Sequence, residues 1–194
     1  VYKGERLGFI GHYAAVNDAS GADLLGFISN QLANQQCTLA VGPIDGNTWQ
    51  PYRFVIETGT ETHFLLEPTN PEAWPSQFIQ AGFDPMAHYF SAINTDLSKQ
   101  HPRLASLTER ANAEGIIIRN LDLGQLETEL KRLYPLILVC FQHNFLYTPI
   151  YEADFLAQYL PLRAFIQPSL VLIAEQDNQP IGFVFAYPDW LQMQ

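Results

Sequence analysis

Positive charge is scarce in this chain of 194 residues: ten lysines and arginines stand against twenty aspartates and glutamates, a formal net charge of −10. A polyanion would be repelled, so neither nucleic acid nor an anionic membrane is an expected partner, and a small amine or a basic partner is favoured. Cysteine is also scarce. Cys37 and Cys140 both stand among apolar residues, at a spacing that no metal motif uses, and read as buried free thiols of a reducing compartment. No secretory leader is in view, although the first residue is Val1, and the expected location is cytoplasmic. Long apolar runs are missing: the longest, residues 136–141, falls far short of the ~20 residues that cross a membrane.

Several chemical signatures are missing as well. The histidines at 12, 63, 88, 101 and 143 show no HExxH or other ligand spacing, so no metal is expected. There is no Walker loop, dinucleotide fingerprint or GxSxG elbow, and neither cysteine adjoins a charged group that would activate it. What remains is a chain with 47% apolar and only 15% charged residues, which places it among globular rather than disordered proteins. Its length suits one full core, or two small halves that share one.

The pattern along the chain is α/β (α+β). Leu7 to Val16 reads as a long buried strand, followed at once by a helix with Leu24, Leu25, Ile28 and Leu32 on one face and Ser20 as its N-cap. A short strand at residues 38–41 ends sharply at Gly42-Pro43. Residues 53–56 and 63–66 read as strands around Gly59, and residues 86–93 as another. A helix at 76–81 stops at Gly82. Past Thr95 the texture turns polar. A helix opens at His101-Pro102 and closes at Gly115, and residues 116–119 are a strand. Asp122 and Gln125 form a capping box for a helix that Pro135 should kink or restart. Thr148-Pro149 starts a further helix to about Leu160. Residues 169–187 are a hairpin around Asp177-Asn178-Gln179.

A strand that enters a helix through a small-residue turn, here NDASGAD, is a common seat for a phosphate, although Asp18 and Asp23 put negative charge in it. The runs ERLGFIGHYAAVND, VGPIDGNTWQPYRF and QFIQAGF, together with the terminal LVLIAEQDNQPIGFVFAYPD, resemble the GNAT acyltransferase superfamily, closest to its long bacterial tandem-type members. The resemblance covers most of the chain in permuted order. Residues 1–97 look like the second half of a GNAT domain and residues 98–194 like the first, together one composite fold with a mixed, mostly antiparallel central sheet flanked by helices. The resemblance then implies that Ile181 to Tyr187 pairs with Leu7 to Val16, within one chain or by strand exchange in a homodimer. A piece of a longer tandem protein is an equally good reading.

The resemblance also implies a site. Acetyl-CoA or another acyl-CoA, as co-substrate, would lay its pantetheine arm along Tyr13, Ala14, Ala15 and Val16 and its pyrophosphate on Asn17, Ser20, Gly21 and Ala22. The family's basic, glycine-rich turn is replaced by an acidic one. Its tyrosine acid, four residues before the Gly-Phe pair, is here Phe78, which reads as a core aromatic. His12 is the candidate general base, against a hydrogen-bonded core histidine; Glu57 is a weaker candidate. Asn47 and Tyr52 are candidates for the acceptor pocket, with turn-forming and packing as rival roles. The implied activity is acyl-CoA-dependent N-acyl transfer to an amine; the alternative is a non-catalytic GNAT-fold module that binds a ligand or partner.

Overall fold

The computed structural model describes residues 2–60, 62–64 and 66–191. It divides into two compact units: Val1–His88 with Asn144–Thr148 and Asp189–Gln194, and Tyr89–His143 with Pro149–Pro188.

The first unit contains β1 (Leu7–Phe9), α1 (Asp18–Asn34), β2 (Leu39–Val41) and α2 (Ala73–Gln80). β1 and β2 pair in parallel, Leu7 with Leu39 and Phe9 with Val41, and α1 is the crossover that parallel pairing requires. The expected strand of ten residues is thus cut to three. After Ile10, whose N–H donates to Val41 O and whose carbonyl accepts from Ile44 N–H, the backbone leaves the ladder at Gly11 and His12. His12 takes φ +50°, in the left-handed region, so the residues beyond it no longer continue the strand's alternation. The N-cap of α1 is Asn17 rather than Ser20: its Oδ1 accepts the Ser20 N–H at 2.9 Å.

Residues 53–56 form no strand. In place of a ladder partner, the Asn70 side chain accepts from Val55 N–H and donates to Val55 O. The strands expected at 63–66 and 86–93 are not formed either; Leu65 lies outside the described residues. α2 ends as its sequence dictates. Gly82 has φ +89°, and the N–H of Phe83 reaches back to Phe78 O at 3.0 Å, a glycine C-terminal cap. The core of this unit is Ile10, Tyr13, Leu25 and Phe78, with Ile28, Leu32, Phe54 and Trp74 packed against it.

The second unit contains α3 (Leu104–Ala113), β3 (Ile117–Asn120), α4 (Leu126–Phe141), α5 (Glu152–Tyr159), β4 (Val171–Gln176) and β5 (Gln179–Phe185). Its antiparallel sheet has the order β3-β4-β5. The hairpin turn is Asp177-Asn178, with φ +51° and +61°; two consecutive left-handed residues match the right-handed strand twist. α4 is continuous through the exposed Pro135, so the helix does not restart there. Asp122 caps not α4 itself but the short 3-10 turn Leu123–Gln125 before it, through the Gly124 N–H. α5 starts at Glu152, later than expected, and continues as the 3-10 turns of Leu160–Phe165.

Leu126, Leu130, Leu133 and Ile137 form one stripe of α4, and they are buried, as are Leu121, Phe155, Val171 and Ile173. Beside this core, Arg119 of β3 grips Glu175 of β4 with two hydrogen bonds, at 2.9 and 2.8 Å, and Glu129 of α4 with a third at 2.9 Å. Arg132 adds a contact to Glu175 at 2.7 Å and donates to Asn178 O, which ties the hairpin turn to α4.

Within its unit β5 has β4 as its ladder partner, and within its own unit β1 has β2. The architecture is mixed α/β, a small antiparallel sheet and a parallel pair with helices. Neither cysteine is buried: Cys37 is half-buried and Cys140 exposed, and both are free thiols. Among the described residues no helix is long and apolar enough to cross a membrane.

Candidate functional site

Parallel strands place their carboxyl ends side by side, and the crevice just beyond those ends is where open α/β sheets take ligands. In the first unit two chain segments follow those ends, residues 11–17 after β1 and residues 42–53 after β2.

Gly11 is where they meet. A Cβ there would collide with the Ile44 carbonyl oxygen and crowd Asp45. Only glycine lets the segments approach so closely. Across this contact the half-buried Asp45 carboxylate accepts the His12 N–H through Oδ1, and its Oδ2 lies 3.4 Å from His12 Nδ1. The imidazole is otherwise in water, its side chain 87% exposed. The core-histidine reading is therefore wrong, because the left-handed turn at residue 12 swings the side chain outward. Asp45 is itself held by the Asp45 N–H to Pro51 O bond, which closes the loop carrying Asn47 and Trp49.

The chain then runs on through Tyr13, Ala14, Ala15 and Val16 to α1. Tyr13 is buried and anchors the segment: its hydroxyl donates to Gln77 Oε1 at 2.7 Å, and its ring packs edge-on against Trp74 and Phe78. Burial, and secondarily the Asp18 carboxylate, raise the pKa of Tyr13 above the ordinary tyrosine value. Trp74 Nε1 donates to Ala15 O at 3.2 Å. α2 thus holds the carbonyl and ring side of the segment. Among the described residues, no backbone N–H of residues 13–16 donates to another protein group, and Val16 is 91% exposed.

The turn at the start of α1 is less open than its sequence suggested. Asn17 Oδ1 occupies the Ser20 N–H, Asn17 O takes the Gly21 N–H, and Asp18 Oδ1 accepts from Gln77 Nε2 at 3.0 Å. Gly21 lies against the Tyr13 hydroxyl, where a Cβ would be 2.7 Å away, and Ala22 follows it in α1, exposed. Of the acceptor candidates, Asn47 makes a turn, its Oδ1 accepting the Trp49 N–H at 2.9 Å. Tyr52 accepts from Arg53 Nη1 at 2.8 Å, and the guanidinium lies over its ring. Both stand in the loop that carries Asp45. Glu57 is exposed, and Phe78 is buried in the core.

Two residues of this site escaped sequence reading. Gln77 is 2% exposed and satisfied at both ends of its amide. Its signal was a polar residue on the same helical face as Trp74, Phe78 and Ala81. Asp45 carried a weaker signal, an acid just past the end of the strand that pairs with β1. Elsewhere, a groove of about 480 Å³ in the second unit is lined by residues including Gly124, Thr128, Lys131 and Arg163. There Lys131 is engaged by Glu127 at 2.6 Å. Among the described residues no cluster of three or more histidine, cysteine or acidic groups could hold a metal ion.

Compared with known proteins, the chain matches no family model, and no curated protein or solved structure is significantly similar to it.

Proposed function

We propose that the chain acts as a GNAT-type, acyl-CoA-dependent N-acyltransferase whose coenzyme strand is the segment of residues 13–16. The observation that carries this reading is the row of backbone amides at residues 13–16 that, among the described residues, donate to no other protein group, between the exposed His12 imidazole and the first turn of α1. A pantetheine arm can pair with such a row as an added strand. An amide at its His12 end is suited to polarise the thioester carbonyl. The parallel order β1-α1-β2, which sets the segments after both strands side by side, supports the same reading.

In this scheme a neutral amine attacks the thioester carbonyl carbon. The C–N bond forms, the C–S bond breaks, and the thiolate leaves with the electron pair. His12 takes the proton from the acceptor nitrogen and passes it to the thiolate. The net charge of −10 draws in a cationic amine or a basic partner. Asn47 and Tyr52 face the acceptor end. Strand exchange between two copies belongs to the same proposal, because β5 is the last strand of its sheet and offers an edge for one more.

Two observations favour a second reading, a non-catalytic module that binds a ligand or a partner. The Asp18 carboxylate stands at the turn where a pyrophosphate would sit, and Phe78 is buried where the family places its acid. Calorimetry with acetyl-CoA and a longer acyl-CoA, followed by thiol release with a panel of amines, separates the two. Heat and amine-dependent thiol release support the transferase. Heat without thiol release favours the binding module.

A further inference from the structure

We infer that Asp45 is a positioning residue that fixes the tautomer of His12, so that the exposed Nε2 carries the lone pair and accepts the proton. The inference deepens the acyl-transfer reading and rests on it for the identity of the reaction, but its evidence is independent of any coenzyme.

His12 spends conformational energy to be where it is. A left-handed backbone is uncommon for a β-carbon-bearing residue, and such outliers persist where the surroundings over-determine them. What determines this one is Asp45. The carboxylate accepts the His12 backbone N–H with one oxygen and presents the other to Nδ1. Gly11 leaves room for the contact. A neutral imidazole has one N–H, and a carboxylate facing Nδ1 holds the proton there. Nε2 is then left as an acceptor on the solvent side. The carboxylate is far less exposed than the ring, 17% against 87%, so the orienting group is shielded while the reacting nitrogen is accessible. The chemistry this suits is removal of a single proton from a nucleophile, an amine nitrogen in the proposed reaction, with Nε2 gaining the N–H bond.

The variant that isolates the effect is Asp45→Asn. Its side-chain oxygen can still accept the His12 N–H, while its NH₂ faces Nδ1 and donates to it, which moves the ring proton to Nε2. Long-range ¹H–¹⁵N spectra of the neutral imidazoles, with His12 assigned by comparison with His12→Gln, read the tautomer directly. The expected result is a majority of Nδ1–H in the unmodified protein and a majority of Nε2–H in Asp45→Asn. A majority of Nε2–H in the unmodified protein overturns the inference whether or not the variant folds, and so does an unchanged tautomer in a folded variant. Titrating acetyl-CoA into the same samples tests the other claim separately. With no response to the ligand the transferase reading falls, while the tautomer result stands on its own.

Discussion

At the scale of single residues, Gly11 and Asp18 decide how far the site can work. Gly11 is required by contact. Gly11→Ala should cost about 2 kcal/mol in urea unfolding, since the Cβ can be fitted only by parting the two strand ends. Asp18 sets the affinity for an anion at α1. Removing its charge in Asp18→Asn, which keeps an acceptor for Gln77, should tighten acyl-CoA binding by about fivefold at low salt, as a charge near a helix N-terminus is worth about 1 kcal/mol. Unchanged affinity would show that no phosphate approaches this turn. Glu175 reports on the other unit. Hydrogen bonds from Arg119, with Arg132 adding to them, hold its pKa below the ordinary glutamate value. A carboxylate lowered in the folded state contributes stability that is present above the unfolded value and lost as pH falls through the folded one. Glu175→Gln should therefore lower the urea midpoint at neutral pH and flatten its fall into acid. The geometry of His12 was not legible in the sequence: alternation along a strand placed it inward, and a single left-handed residue reversed that.

At the scale of elements, what the sequence carried best were the local signals, those a few residues decide. Gly82 and Gly115 end α2 and α3, with φ +89° and +70°, where a glycine was expected to end each helix. The terminal hairpin formed with its turn at Asp177-Asn178, and there a further test lies. Asn178→Gly should leave stability equal or slightly raised, while Asn178→Val should cost about 1 kcal/mol, because a β-branched residue resists the left-handed turn. Strands were less legible because a ladder needs a partner that local sequence does not name. Residues 53–56 have strand composition, yet Val55 gives its N–H and C=O to the Asn70 side chain. The continuity of α4 across Pro135 was missed for a related reason. The buried stripe of Leu126, Leu130, Leu133 and Ile137 outweighs the donor lost at the exposed proline. Pro135→Ala should then stabilise the protein by about 2 kcal/mol, read as a rise in thermal midpoint. A fall would mean that the ring contributes packing that its exposure does not suggest.

At the scale of the whole molecule, the two compact units each bring their own buried residues and their own short sheet. The permuted order of the family-like halves was a proposition about long-range pairing, the kind of information a single sequence holds least. The strands as formed answer only for pairing inside each unit. The proposed function turns on the first unit, where Gly11, His12, Asp45 and the amides of residues 13–16 lie beyond two parallel strand ends. The most direct measurement is titration of the folded chain with acetyl-CoA, followed by calorimetry and by amide resonances of residues 13–16. Saturable heat with shifts centred on Tyr13, Ala14, Ala15 and Val16 is the expected result. No heat at millimolar ligand and no movement of those amides would contradict a coenzyme strand at this place.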